Sequence, residues 1–246
     1  MLKGEIAYWL NRGTIGAVRA AESFGPGRVA RNKLLLQIAA NQLFWLLDSY
    51  GHSLDSIEAL DPFSGSGLLM SHTYLHRCHH ADLWEIDPER ARQAKRLGPN
   101  VTVHCGDSIE AVRRGDSRLA DYNFIILDNN IGGCYGPDRR YCEHFEMIPA
   151  IFRYLRKGNR AVMVVNHVPD VDRLAADPRF VPDNLEEHLG RRQEFFHTTG
   201  RTVRPAQAAA RYAEAASDSG WTIAHYGIVP RNPVLNFLVL MLVPAT

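Results

Sequence analysis

The chain has little cysteine, no long uncharged apolar run and almost no surplus of either charge. Its four cysteines, Cys78, Cys105, Cys134 and Cys142, contain no Cys-x-x-Cys pair. That spacing argues against a zinc module or a thioredoxin-like redox pair and leaves free thiols as the expectation. No stretch reaches membrane-spanning length without charges, and the first residues hold no uninterrupted apolar signal core, so a cytoplasmic protein is expected. Internal repeats, low-complexity tracts and linkers between independent domains are missing too. What remains, 246 residues that are 46% hydrophobic and 22% charged, is the composition of one globular domain with a substantial core.

The net charge of +1 is unevenly spread. Residues 1–33 hold six bases (Lys3, Arg12, Arg19, Arg28, Arg31 and Lys33) against Glu5 and Glu22, a balance of +4 that leaves −3 for the rest. Such an arm beside a cleft suits an anionic substrate or a nucleic-acid backbone. Because apolar residues interrupt the bases, solvated helix faces explain them at least as well.

An N-terminal arm, Met1 to Val29, broken by Gly13, Gly16 and Gly25-Pro26-Gly27, leads into a helix expected from Asn32 to Tyr50. Leu36, Ala40, Leu43 and Leu47 form one apolar stripe, while Leu35, Ile38, Trp45 and Leu46 cover other faces, so the helix should be nearly surrounded. From Ile57 strands and helices alternate. Short apolar runs end at Asp61, at Glu85-Ile86-Asp87, at Gly106-Asp107 and at Asp128, and Ala161–Val165 reads as a central parallel strand. Residues 166–204 break the rhythm with Pro169, Pro178 and Pro182, which favours a substrate cap. Pro205 then opens an Ala-rich helix ending before Gly220. Two last strands, Trp221 to Val229 and Val234 to Val243, are joined by so short a link, Pro230-Arg-Asn-Pro233, that they form an antiparallel hairpin. The domain division is therefore an arm and helix over 1–50 belonging to the same domain, and a main body over 51–246 with a cap insertion at about 166–204.

The most specific stretch is Asp61-Pro62-Phe63-Ser64-Gly65-Ser66-Gly67 after the first strand. Glycines at 65 and 67 allow positive φ and let a ligand approach the backbone. A dinucleotide site asks for a third glycine near position 70, where Met70 stands, and for a helix N-terminus to hold a pyrophosphate. The alternative is an adenosyl ligand without phosphates, S-adenosylmethionine, with carboxylates for its amino and hydroxyl groups. Glu85 at the second strand end suits a ribose diol, and Asp107 an adenine amino group. In a doubly wound sheet Asp61, Glu85, Asp107 and Asp128 would converge on one cleft.

These motifs, in this order and spacing, resemble the class I S-adenosylmethionine-dependent methyltransferases from about Ser56 to the C-terminus. The wording Asp-Pro-Phe-Ser-Gly-Ser-Gly is closest to the nucleic-acid amino-methyltransferase branch. The resemblance implies an α/β fold, a doubly wound, mostly parallel seven-stranded sheet with a C-terminal antiparallel hairpin and an N-terminal helical arm. It implies that the glycine turn and Asp61 serve the methionine moiety, Glu85 the ribose, Asp107 the adenine, and that Asp128 faces the methyl acceptor. The candidate cofactor set is Asp61, Phe63, Gly65, Gly67, Glu85, Ile86, Asp107, Ser108 and Asp128. That branch carries Asp/Asn-Pro-Pro-aromatic after strand four, where this chain has Asp128-Asn129-Asn130-Ile131.

Candidate catalytic residues are Asp128, Asn129 and His167. Asp128 either orients an acceptor amino group or contacts the cofactor as a turn-forming acid. Asn129 and Asn130 either add an amide acceptor or serve turn chemistry. His167 is either a general base or a cap residue bonded to Asp170. Tyr135 and Phe195-Phe196-His197 either stack on a planar acceptor or pack the cap shut. No metal site is assigned: His76, His79 and His80 with Cys78 are read as cations suiting the end of a helix. The leading reading is methyl transfer by in-line displacement to a small-molecule acceptor, because charge is near neutral and the Pro-Pro-aromatic element is missing. A nucleic-acid base is the alternative acceptor, and a cofactor-binding protein without catalysis a third reading. No membrane partner is expected.

Overall fold

The computed structural model describes residues 28–68, 70–129, 133–177, 184–232 and 234–246. The arm over 1–27, Asn130 to Gly132, Pro178 and Pro182, and Pro233 lie outside the described residues, and with them the basic arm, the Asn130 reading and part of the cap.

The elements run α1 (Arg28–Ser49), β1 (Ile57–Asp61), α2 (Ser71–Tyr74), β2 (Cys78–Glu85), α3 (Pro88–Ala94), β3 (Val101–Cys105), α4 (Ser108–Arg114), β4 (Phe124–Leu127), β5 (Cys134–Tyr135), β6 (Tyr141–Cys142), β7 (Ala161–His167), α5 (Val171–Ala175), α6 (Leu185–Phe196), α7 (Pro205–Ser217), β8 (Trp221–Asn232) and β9 (Leu235–Pro244). Seven strands form one sheet in the order β3-β2-β1-β4-β7-β9-β8. The first five are mutually parallel, while β9 runs antiparallel to both β7 and β8. This is the doubly wound sheet with terminal hairpin that the strand signals predict.

The period of two along the strands sorts side chains into two cores. Ile125, Leu127, Met163, Val165, Leu238 and Leu240 face one side, against α4, α7 and the chain around Phe145 and Phe152. Phe124, Ile126, Val162, Val164, Phe237 and Val239 face the other, against α1. All of these strand residues are fully buried, which is why the central strands read as continuous apolar runs rather than as alternations.

Two local expectations need correction. Trp45 is 43% and Leu34 48% exposed, so α1 is one-sided rather than nearly surrounded. The helix after the glycine turn is only four residues long and passes through a 3-10 turn (Leu75–Arg77) into β2. Cys78, His79 and His80 consequently lie on β2 rather than at a helix end. His79 Nδ1 meets Glu58 at 2.7 Å, His80 shares Asp82 with His104, and among the described residues no cluster of His, Cys, Asp and Glu could hold a metal ion. All four cysteines are free thiols, and no described helix is long and apolar enough to cross a membrane.

Candidate functional site

The order reverses between β1 and β4, and at such a switch point the loops leaving adjacent strands part and open a crevice. Two hollows that share lining residues lie there, of about 300 and about 390 Å³. Phe63, Gly65 and Arg90 line both. The first, the apolar lobe, is faced by Trp84, Glu85, Ile86, Asp107, Tyr135 and Tyr141. The second, the polar lobe, is faced by Asp61, the turn over 64–67, Asp128 and Arg231. The four strand-end acids thus divide in two pairs, Glu85 with Asp107 and Asp61 with Asp128.

The glycine turn between the lobes is pinned from both sides. Ser64 hydrogen-bonds through its amide and its hydroxyl to the Trp84 carbonyl, the Gly67 amide donates to the Ser64 carbonyl, and the Ser108 hydroxyl donates to the Pro62 carbonyl at 2.6 Å. Ser108 therefore ties α4 to the turn from behind. The two glycines are required for different reasons. Gly65 has φ +59, and a Cβ there would stand 3.9 Å from Glu85 Oε2, at a position that lines both lobes. Gly67 has φ +70, and its Cβ would fall 2.1 Å from Leu97 Cδ1, so its role is packing.

Asp61 is 1% exposed and accepts from Ser71 Oγ at 2.8 Å, Tyr74 Oη at 2.7 Å and the Phe63 amide at 3.2 Å. Burial, with some help from the nearby charge of Asp128, raises its pKa to about 6 against those hydrogen bonds. Glu85 accepts the Asp87 amide at Oε1, 2.8 Å, and turns Oε2 toward the turn at Gly65. Ile86 is 62% exposed at the lobe's edge, an apolar side chain left for a ligand to cover. Asp107 caps α4 through the amides of Ile109 and Glu110, while its Oδ2 accepts from Tyr141 Oη at 2.6 Å and Arg140 at 3.4 Å. It lines the lobe with its carboxylate already engaged.

The candidate catalytic residues do not stand together. Asp128 faces the polar lobe, where Asn166 Nδ2 donates to it at 2.9 Å and Arg231 Nη2 reaches both its oxygens at 2.9 and 3.1 Å. Asn129 is buried behind it, with its side-chain oxygen 3.2 Å from His144 Nδ1. His167 is also buried and lines neither hollow. It is supported by the backbone of Val203 with Nε2 unpartnered, while Asp170 caps α5 instead of bonding it. Burial pulls the pKa of both His144 and His167 down to about 4. Phe195 and Phe196 pack on Phe145 with Tyr212 against both of them, none of the three lines a lobe, and Tyr135 alone of the proposed stacking residues lines one.

Several residues of this region carry no sequence motif. Tyr212 Oη meets His144 Nε2 at 2.5 Å; Arg192, fully buried, joins Glu143 at 2.5 Å and the carbonyls of Gly200 and Val168; His188 adds a second contact to Glu143 at 2.9 Å. Burial alone would raise Glu143, but the Arg192 guanidinium and His188 hold it well below the usual carboxylate range. The pair anchors α6 to the segment after β4. Described residues of 166–204 line neither lobe, and Asn166 reaches the site through its bond to Asp128. Only Arg231 had a readable signal: a hairpin returning antiparallel to β7 must put its tip at the carboxyl edge of the sheet, where the switch point lies.

No protein-family model matches the chain, and no curated protein sequence matches it either. Solved structures do. The magnesium protoporphyrin IX methyltransferase ChlM from Synechocystis PCC 6803 with bound SAH superposes with a TM-score of 0.54 at 15% identity, over 99% of this chain and 99% of that one. Trm1 from Pyrococcus horikoshii, in complex with S-adenosyl-L-methionine, gives 0.54 at 13% identity, over 85% of this chain and 56% of its own. The N-methyltransferase NodS from Bradyrhizobium japonicum WM9 gives 0.50 at 11% identity, over 84% and 94%. At these identities the likeness is one of fold: the chain has the seven-stranded, mostly parallel sheet with a terminal antiparallel hairpin on which these methyltransferases are built.

Proposed function

We propose that the chain is an S-adenosylmethionine-dependent methyltransferase acting on a small-molecule acceptor. The observation that carries this reading is the pair of hollows that share Gly65, one largely apolar and lined by Glu85 and Asp107, the other lined by two acids and two arginines. An adenosyl group joined to a zwitterionic amino acid has that distribution of chemistry. The four-residue α2 supports it from the other side: so short a helix has little dipole to offer a pyrophosphate, which disfavours a dinucleotide.

When bound, S-adenosylmethionine supplies a methyl group already activated by its sulfonium charge. The protein's part is then mainly positioning. Glu85 accepts from the ribose hydroxyls through Oε2, Phe63 and Ile86 supply apolar walls to the adenine, and Asp61 and Asp128 meet the ammonium. Asp107 takes the adenine amino group only by sharing it with Tyr141. Asp128, fixed by Asn166 and Arg231, lies where it can also accept from an amino N–H of an acceptor. Asn129 and His167 belong to the layer that holds this edge in place.

A small acceptor is favoured over a nucleic acid by the charge pattern at the rim. Arg139 pairs with Glu187, Arg140 with Asp107 and Glu110, Arg191 with Glu146, and Arg113 and Arg114 with Glu110. A phosphate backbone would have to compete with each of these acids. ChlM and NodS on one side and Trm1 on the other share the fold, so fold itself does not choose the acceptor.

Isothermal titration tests the cofactor. Micromolar binding of S-adenosylmethionine and S-adenosylhomocysteine, with none of a nicotinamide dinucleotide, is expected; tight binding of the dinucleotide overturns the reading. For the acceptor, turnover should change little between low and physiological salt, and a steep loss with salt would move the assignment to a nucleic acid.

A further inference from the structure

Arg231 is the unexplained residue of the polar lobe. It sits at the end of β8, more than a hundred residues from Asp128 in sequence, and its side chain is 18% exposed. Its guanidinium lies 5.7 Å from the ring of Phe237, and a single nitrogen, Nη2, touches both oxygens of Asp128. That end-on contact leaves Nε outside the pair. Nε is buried without a hydrogen-bond partner among the described residues. A buried guanidinium donor lacking an acceptor is costly, whereas the same fork receiving a carboxylate makes a strong, directional pair. The lobe already holds two acids for a cation, so the second charge it can accept is an anion. Arg90, the other arginine of the lining, is exposed on α3 and faces both hollows rather than this one alone.

We propose that Arg231 is the receptor for the α-carboxylate of the cofactor's amino-acid portion, so that the terminal hairpin reads one end of the ligand while the glycine turn reads the other. This rests on the cofactor reading above. In that arrangement Asp128 and Arg231 stand side by side as a matched pair for the ammonium and the carboxylate. Their mutual contact holds both in place before the ligand arrives.

The test compares two ligands by calorimetry on the full chain: S-adenosylhomocysteine, which has the amino-acid portion, and 5′-methylthioadenosine, which lacks its carboxylate and ammonium. Arg231→Gln should weaken the first about tenfold or more and leave the second within about twofold. The double variant D128N/R231Q, which leaves no unpaired acid behind, should show the same selective loss. Equal loss of both ligands in both variants would make Arg231 structural and overturn the proposal. Unchanged binding of both, or a selective loss with Arg90→Gln in place of Arg231→Gln, would overturn it too. Failure of the unsubstituted protein to bind either ligand is a different result, since it sinks the cofactor reading itself.

Discussion

At the scale of single residues, the two glycines of the turn separate binding from stability. Gly65→Ala meets only ordinary contact with Glu85, so beyond the backbone strain of a positive φ, about 1 kcal/mol, its main effect should be weaker binding of any adenosyl ligand. Gly67→Ala drives a methyl group into Leu97 and should cost roughly 1–3 kcal/mol in denaturant unfolding. The reverse ranking would show that the turn has been assigned backwards. Asp61 makes a second prediction. With its pKa at about 6 against an ordinary 3.8, the folded apo protein keeps this proton between about pH 4 and 6. An ammonium entering beside it lowers that pKa, so binding should release a proton near pH 6 and strengthen as pH rises through that value. Calorimetry in buffers of different ionisation enthalpy measures the release, and Asp61→Asn should abolish it. Glycines and strand-end acids were legible because punctuation and period place them; Asn166 and His144 were not, since they reach the site from 38 and 15 residues away by folding alone, and Arg231, 103 residues from Asp128, is reachable only through the direction of the hairpin.

Among the elements, the small hairpin β5–β6 has the most to reveal. Tyr135, Gly136 and Tyr141 bring it against the lobe of Glu85 and Asp107, and the bond from Tyr141 to Asp107 fastens it there. Tyr141→Phe keeps the ring and frees Asp107 Oδ2. If Asp107 accepts from the adenine amino group, affinity for S-adenosylhomocysteine should rise several-fold while that for its inosine analogue, which has no amino group, stays put. Equal behaviour of the two analogues would remove Asp107 from the adenine contact. No sequence period announces such a hairpin, because two residues per strand are too few to show alternation. Some strand starts were legible for the opposite reason: β1 begins at Ile57, where the alternation is read to begin, and β9 within a residue of the expected Val234.

For the whole molecule, acid should be the sensitive direction. His144 and His167 are buried neutral with pKa near 4, so as pH falls from about 6.5 to 4 the unfolded chain takes up protons that the folded one refuses. Glu143, held low by Arg192, loses its contribution further down the same slope. Asp61 acts against this trend, one raised carboxyl against three depressed imidazoles, since burial lowers His52 as well. Thermal midpoints should therefore drop steadily across that window, and His167→Gln should flatten part of the fall. A midpoint that is level from pH 6.5 to 4 would contradict the burial of both rings.

The place of β9 in the sheet also bears on how the molecule is made. It leaves the ribosome after β8, yet it lies between β7 and β8. Until it emerges, β8 has no neighbour to join, and a nascent chain holding β1 to β7 exposes the edge of β7 with its full row of unpaired amides. Arg231 sits at the junction of the two late strands, so it is delivered to its pocket in the same event that seals that edge. The site is then assembled last, and a nascent chain stalled before β9 would carry the glycine turn and every strand-end acid without being able to grip an amino-acid carboxylate.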